Sequence, residues 1–188
     1  LLGEHGIPVW VMEPLRGGAL ATPPKEVSAL INAHTPRRSA VDWAFRWVAG
    51  LPEVAVILSG MSNMEQVQEN LKIFGSLEEG NLSKEDAAFY AALKTAYLQR
   101  TPIGCTHCDY CQPCPQGVVI PDIFAAYNES VMFDQPKSML WHYANAVDKG
   151  VDASKCVACG ACESACPQQL PIIEWLKTVH SAYEKAKE

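Results

Sequence analysis

All eight cysteines of this chain lie in two short runs, CTHCDYCQPCP at residues 105–115 and CVACGACESACP at residues 156–167. The first run spaces its cysteines as C-x2-C-x2-C-x2-C-P, and the second spaces them as C-x2-C-x2-C-x3-C-P. A tight loop with a cysteine at every third position can bind three corners of a cubane cluster. The fourth corner then needs a ligand from distant sequence. Eight cysteines in two such runs predict two 4Fe–4S clusters.

The spacing of the second run is that of bacterial ferredoxins, in which the fourth cysteine of each run binds the other cluster. We therefore expect a crossed arrangement of ligands. One cluster is predicted to be bound by Cys105, Cys108, Cys111 and Cys166, and the other by Cys156, Cys159, Cys162 and Cys114. The first run is one residue shorter before its last cysteine, so the pattern supports Cys114 less strongly than the other ligands. A proline follows each run and is expected to turn the chain away from the cluster.

Other interpretations of the cysteines are weaker. Zinc sites also use C-x2-C pairs, but zinc requires neither a third cysteine three residues on nor the proline after the run. Disulfide bonds would require a secreted protein, and cysteines three residues apart are poor partners. His107 and Tyr110 lie between ligands and are interpreted as solvent-facing, with the alternative that His107 hydrogen-bonds a sulfide or relays a proton. Gly160 is expected to let the backbone approach an inorganic sulfide.

The charge of the chain limits its partners. The 188 residues carry a formal net charge of −6, which disfavours nucleic acid and favours a basic redox partner. The longest apolar run, Val54–Leu58, is far shorter than the ~20 residues that span a bilayer, so no membrane segment is expected. The sequence begins without the basic start and cleavage site of a signal peptide, and iron-binding thiols must stay reduced. We therefore expect a cytoplasmic protein.

Residues 7–74 have the pattern of alternating strands and helices. The apolar, β-branched runs predict strands at residues 7–12 and 54–58. Helical spacing predicts helices at 24–33, from the Thr35-Pro36 cap to Gly50, and from a capping box at Ser62 and Glu65 to Phe74. An apolar strand of this kind is typical of a parallel sheet covered on both faces. This part of the chain is therefore predicted to be a βαβα unit of an α/β fold.

The second part of the chain is predicted to be entirely helical. We place a domain boundary in the polar linker at residues 75–81, which gives domains 1–80 and 81–188. Helices are expected at residues 83–98, 121–133, 137–147 and 172–185, with Ala88, Ala91, Ala92 and Leu93 on the apolar side of the first of them. No strand is expected after residue 82, and no repeat is expected beyond the cysteine runs. Both clusters are therefore predicted to lie in a helical module.

Two segments resemble the end of an aldo/keto reductase. They are VMEPLRGG at residues 11–18, and SGMSN at residues 59–63 with Glu69-Asn70 after it. The whole chain resembles the C-terminal part of such an enzyme carrying an α-helical 4Fe–4S dicluster extension. The resemblance implies an α/β part formed by the last two βα units of a (β/α)8 barrel, followed by an all-α, ferredoxin-like dicluster domain.

The resemblance also implies a nicotinamide dinucleotide site. Leu15, Arg16 and Gly18 would line the pyrophosphate; Ser59, Gly60, Ser62 and Asn63 the ribose and its phosphate; and Gln66, Glu69 and Asn70 the adenine. No Lys or Arg lies between residues 59 and 71, so the choice between NADP and NAD is open. The catalytic Asp, Tyr, Lys and His of the family come from earlier strands, and no catalytic residue is assigned in this chain.

Two functions follow from these features. In the first, the parent protein is an aldo/keto reductase-type oxidoreductase acting on a small carbonyl substrate. Its two clusters would pass electrons between the nicotinamide site and a ferredoxin or flavoprotein partner. In the second, these residues are an electron-transfer module without catalysis of its own. A third interpretation makes the clusters structural, so that their loss unfolds the protein.

Overall fold

A computed structural model of the chain describes residues 1–77 and 83–187. They form two compact units, which divide between Ala96 and Tyr97. The domain boundary predicted at residues 80 and 81 lies outside the described residues, so domains 1–80 and 81–188 stay a prediction.

The first unit is built on two parallel strands, β1 (Val9–Val11) and β2 (Val54–Ile57), with Val9 opposite Val54 and Val11 opposite Ile57. Its helices are α1 (Lys25–Ala33), α2 (Ala40–Ala49), α3 (Met64–Phe74) and α4 (Lys84–Leu98), and the last two residues of α4 belong to the second unit. The order of strands and helices predicted for residues 7–74 is confirmed.

The small sheet is covered on one face. Helix α2 packs against β2. Trp10 in β1 and Met12 just after it lie two residues apart, so they share a face, and they are 68% and 74% exposed. Within the described residues the sheet has two strands, so the barrel implied by the resemblance is not seen in this part of the chain.

Helix α2 begins later than predicted. Thr35-Pro36 was expected to start it, but the helix starts at Ala40, and this prediction is wrong. The cause is Ser39, whose hydroxyl accepts a 3.1 Å hydrogen bond from the backbone N–H of Asp42. A serine in this position satisfies one of the free N–H groups of the first helical turn.

Helix α3 is capped one residue later than predicted. Asn63, not Ser62, is the N-cap, and its side-chain oxygen accepts a 2.9 Å hydrogen bond from the N–H of Gln66. The Gln66 side chain accepts in turn from the N–H of Ser62, at 2.7 Å. The predicted partner Glu65 is therefore not the capping acid. Ser and Asn are both good N-caps, so the pattern could not choose between neighbours.

The buried side of α4 also differs from the prediction. Ala88, Ala91 and Ala92 are exposed and Leu93 is half-buried, whereas Phe89 is buried. Phe89 packs on Trp43 of α2, with 4.6 Å between the ring centroids, and the hydroxyl of Tyr90 donates to the Trp43 carbonyl. Aromatic packing decides which face of this alanine-rich helix is buried.

The second unit is helical, as predicted. Its helices are α5 (Ile120–Met132), α6 (Pro136–Asp148), the short α7 (Ala161–Ala165) and α8 (Ile172–Ala186), with a 3-10 turn at Ala153–Lys155. Residues 83–187 contain no strand, as the sequence predicted. The core lies between α5, α6 and α8 and contains Phe124, Met139 and Leu176. None of the helices in the described part of the chain is both long and apolar enough to cross a membrane.

Candidate metal centre

Most of the cysteines lie against the core of the second unit. Six of them are half-buried and pack against that core: Cys105, Cys111, Cys114, Cys156, Cys162 and Cys166. The second cysteine of each run, Cys108 and Cys159, is exposed. In both runs the second cysteine is therefore exposed to solvent and the other three are half-buried.

One cavity brings together the four ligands predicted for the first cluster. Its walls include Cys105, Cys108, Cys111 and Cys166, with Ile120, Phe124 and Ile172 as apolar neighbours. Three of these thiols come from the first run and one from the second. A crossed set of thiols therefore lines one cavity, and its role as the ligand set of one cluster stays a prediction.

For the second predicted ligand set, the structure shows that two of the four thiols lie near each other. Cys156 lies close enough to Cys162 for its charge to contribute to raising the pKa of the Cys162 thiol. Cys114 packs against the same core, and Cys159 is exposed in the same loop as Cys156 and Cys162. The assignment of Cys114 to this cluster stays a prediction.

The two cysteine loops share an unusual backbone conformation. The residues on either side of the second cysteine have positive φ in both runs: His107 (55°) and Asp109 (63°) in one, Ala158 (55°) and Gly160 (78°) in the other. Side chains with a Cβ adopt this region at a cost, and glycine adopts it freely. The turn itself therefore explains Gly160, and a close approach to sulfide at this position stays a prediction.

The similarity extends beyond the runs, which corrects the expectation that no further repeat exists. Three residues after the last cysteine, Gly117 and Gln169 have positive φ and donate to the carbonyls of Cys114 and Cys166, at 2.8 and 3.1 Å. Helices α5 and α8 then begin six residues after the last cysteine of each run. The sequence Cys-Pro-Gln, common to both runs, was the available signal.

The sequence did not reveal one residue in each run that connects the run to the segment that follows it. Gln112 and Glu163 each follow the third cysteine of their run. Gln112 donates to the carbonyl of Val118 at 3.0 Å and accepts from the N–H of Cys114 at 3.2 Å. Glu163 accepts from the N–H of Ile173 at 2.9 Å. No spacing rule predicts such contacts, because their acceptors and donors are backbone groups.

Three of the thiols have a raised pKa. Burial raises the pKa of Cys105 and Cys111, and burial followed by the charge of Glu163 raises the pKa of Cys162 to about 11. The backbone N–H of His107 opposes this for Cys105, because it donates a hydrogen bond to the sulfur. Metal ligation requires thiolates, so cluster binding must release protons from these groups.

The residues between the ligands face solvent, as interpreted from the sequence. Tyr110 is 68% exposed. His107 is about half exposed, and its Nε2 lies 3.4 Å from a carboxylate oxygen of Asp122 in the first turn of α5. The polar partner of the His107 ring is thus a surface carboxylate.

The residues implied for a dinucleotide lie at one edge of the sheet. Because β1 and β2 are parallel, the loops after them begin at the same edge. Leu15, Arg16 and Gly18 lie in the first of these loops, where Arg16 and Gly18 have positive φ. Ser59, Gly60, Ser62 and Asn63 lie in the second, and Gln66, Glu69 and Asn70 lie on α3.

Several of these side chains are hydrogen-bonded to one another or to neighbouring elements. The buried amide of Asn70 donates to the hydroxyl of Ser59 at 3.0 Å. Glu69 accepts from the hydroxyl of Ser39, the N-cap of α2, at 2.8 Å. Asn70 and Glu69 thus fix the second loop and α2 in place, which the resemblance alone did not indicate.

The cysteines fit a multi-atom cluster. Within the described residues, no three His, Cys, Asp or Glu side chains converge closely enough to hold a single metal ion. The four thiols of the first set instead line the walls of a shared cavity. Four soft sulfur donors around a space are the donor set that a 4Fe–4S cluster requires.

A comparison with known protein families finds a match in the second unit. Residues 104–170 match the 4Fe-4S dicluster domain family, and this range contains all eight cysteines. No curated protein and no solved structure matched the chain. The match and the eight cysteines together support 4Fe–4S clusters as the cofactors of the second unit, and they suggest an iron–sulfur electron-transfer module in this part of the chain.

Proposed function

We propose that the chain is part of an iron–sulfur oxidoreductase, in which the second unit transfers electrons through two 4Fe–4S clusters. The observation that carries this proposal is the cavity shared by Cys105, Cys108, Cys111 and Cys166. Such clusters supply one-electron chemistry when bound. Their expected exchange partner is a ferredoxin or flavoprotein, and the expected location is the cytoplasm.

The protein's own contribution is a partly buried set of ligands. Apolar side chains, among them Ile120, Phe124 and Ile172, line the first site beside the thiols and exclude water from one side. The exposed Cys108 leaves the other side open to a partner, and the exposed Cys159 has the same place in the second run. Hydrogen bonds to sulfur, such as that from the His107 N–H, and the degree of burial are the means by which a protein tunes such a centre.

For the first unit we propose the last two βα units of an aldo/keto reductase barrel, with NADP or NAD bound at the loops after β1 and β2. The open apolar face formed by Trp10 and Met12 supports this, because parallel sheets are normally covered on both faces. A hydride carries two electrons, which is the number that two one-electron centres hold together. The catalytic residues would come from strands other than these two.

The alternative is an electron-transfer module without catalysis of its own. The hydrogen bonds of Ser59 and Glu69 to side chains of the same unit favour it, because these groups already have partners. Dinucleotide binding separates the two proposals. Quenching of tryptophan fluorescence on addition of NADH or NADPH supports the first, and the absence of binding at millimolar concentrations supports the second.

The test of electron transfer is anaerobic analysis of iron and acid-labile sulfide, followed by EPR of the dithionite-reduced protein. About eight irons per chain and two interacting paramagnets are expected for two four-iron clusters. Zinc in place of iron would overturn the proposal. Clusters that are present but are neither reduced nor oxidised by mediators would leave only the structural role, and unfolding on their removal would then be the expected companion result.

A further inference from the structure

The second unit consists of two similar halves, each with a cysteine run, a turn and a helix. When the halves are compared from the last cysteine of each run, Asn128 on α5 and His180 on α8 are equivalent, each fourteen residues after that cysteine. Both side chains connect to the backbone that leads into the run of their own half. The two connections use different chemistry.

In the first half, Asn128 binds both backbone groups of Ile103. Its side-chain oxygen accepts from the Ile103 N–H at 3.0 Å, and its amide nitrogen donates to the Ile103 carbonyl at 2.8 Å. Ile103 is fully buried and lies two residues before Cys105. Two hydrogen bonds from one rigid amide fix both the position and the orientation of this peptide.

In the second half, the connection runs through a tyrosine. The Tyr143 hydroxyl accepts from the N–H of Ala153 at 3.1 Å and lies 3.0 Å from Nδ1 of His180. Ala153 lies three residues before Cys156 and begins the 3-10 turn that leads into the run. Tyr143 is almost fully buried, so its own proton needs an acceptor, and Nδ1 of His180 is in position to be that acceptor.

We infer that Asn128 and the Tyr143–His180 pair are the positioning residues of the two clusters, one for each. Asn128 fixes the backbone just before the run containing Cys105, Cys108 and Cys111. Tyr143, together with His180, fixes the backbone just before the run containing Cys156, Cys159 and Cys162. This inference rests on the proposed clusters and adds that each site is held in shape by its own connection.

The two connections can be removed separately. Asn128→Leu keeps the size of the side chain and removes both hydrogen bonds to Ile103. Tyr143→Phe removes only the hydroxyl. His180→Leu removes the acceptor of the Tyr143 proton. His180→Asn places a side-chain oxygen close to the position of Nδ1, and asparagine is the residue at the equivalent position of the first half. Asn145→Leu on the exposed side of α6 is the matched control.

The experiment measures iron content and the EPR spectrum of the reduced, anaerobically purified protein. We expect Asn128→Leu and Tyr143→Phe each to retain about four of about eight irons and to lose the interaction between the two paramagnets. In a Cys108→Ala background, Asn128→Leu should cause no further loss, whereas Tyr143→Phe should remove the remaining cluster. His180→Asn should retain more iron than His180→Leu, and Asn145→Leu should retain all of it.

A purely structural role predicts a different result. Both clusters would then be lost together, in proportion to the fall in helix content measured by far-UV circular dichroism, and the inference would be wrong. Equal effects of Asn128→Leu and Tyr143→Phe in the Cys108→Ala background would also overturn it. A wild-type protein with no iron would instead reject the proposed function, before any variant is compared.

Discussion

Glu163 accepts a 2.9 Å hydrogen bond from the backbone N–H of Ile173, and this contact joins the second cysteine run to the first turn of α8. The first N–H groups of a helix have no partner within the helix, so a side chain from elsewhere must satisfy them. The negative charge also lies at the positive end of the helix dipole. This contact therefore stabilises α8. It also fixes Glu163, which is the residue next to Cys162.

Replacing Glu163 should separate the effect of its hydrogen bond from the effect of its charge. Glu163→Gln keeps an acceptor and removes the charge, whereas Glu163→Ala removes both. We expect Glu163→Ala to lower the free energy of unfolding by about 1 kcal/mol, as for loss of an N-cap, and Glu163→Gln to lower it by less. Chemical denaturation of the iron-loaded protein measures both values. Glu174→Ala, an exposed acid in the same helical turn, is the control, and a larger loss for it would contradict the assigned role.

The same carboxylate should contribute, after burial, to the raised pKa of Cys162. Burial and the Glu163 charge raise the pKa of this thiol to about 11, from an ordinary value of about 9. Glu163→Gln should therefore lower the pKa of Cys162. The rate of anaerobic alkylation of the cluster-free protein against pH, followed at Cys162 by mass spectrometry, measures the shift.

The raised pKa also predicts how stability depends on pH. The folded state binds the Cys162 proton more tightly than the unfolded state does. The stability that this tighter proton binding contributes is fully present below about pH 9 and is lost as the pH rises towards 11. The cluster-free wild-type protein should therefore lose more stability over this range than Glu163→Gln. Identical slopes for the two proteins would show that Glu163 does not act on the thiol.

The pair Ser59 and Asn70 gives a prediction for the first unit. Asn70 is buried and donates to the Ser59 hydroxyl at 3.0 Å. Ser59→Ala leaves the amide without this partner, which should cost about 1–3 kcal/mol of unfolding free energy. Ser62→Ala, at an exposed hydroxyl nearby, should cost less. If Ser59→Ala weakened nucleotide binding without changing stability, Ser59 would contact the ligand rather than support the loop.

The regular parts of this fold could be predicted from the sequence, and some side-chain contacts could not. Valine-rich runs gave both strands, and proline and glycine bounded most helices, because local preferences decide these features. The buried face of α4 was missed because it depends on contacts of Phe89 and Tyr90 with the distant Trp43. Asn128 and Gln112 were missed because their partners are backbone groups, which leave no pattern in the side-chain sequence. Tyr143 was missed because it joins the backbone of Ala153 to the distant side chain of His180.

The crossing of ligands between runs was predicted because the second run has the spacing of bacterial ferredoxins, and Cys166 makes this prediction testable. Cys166 belongs to the second run but lines the same cavity as Cys105, Cys108 and Cys111. Cys166→Ala should therefore lose the same cluster as Cys108→Ala and give the same EPR spectrum. Cys159→Ala should lose the other cluster. Thr106→Val changes the wall of the cavity without removing a sulfur and should retain both. If Cys166→Ala gave the spectrum of Cys159→Ala instead, each run would ligate its own cluster, and the cavity would not be the first cluster site.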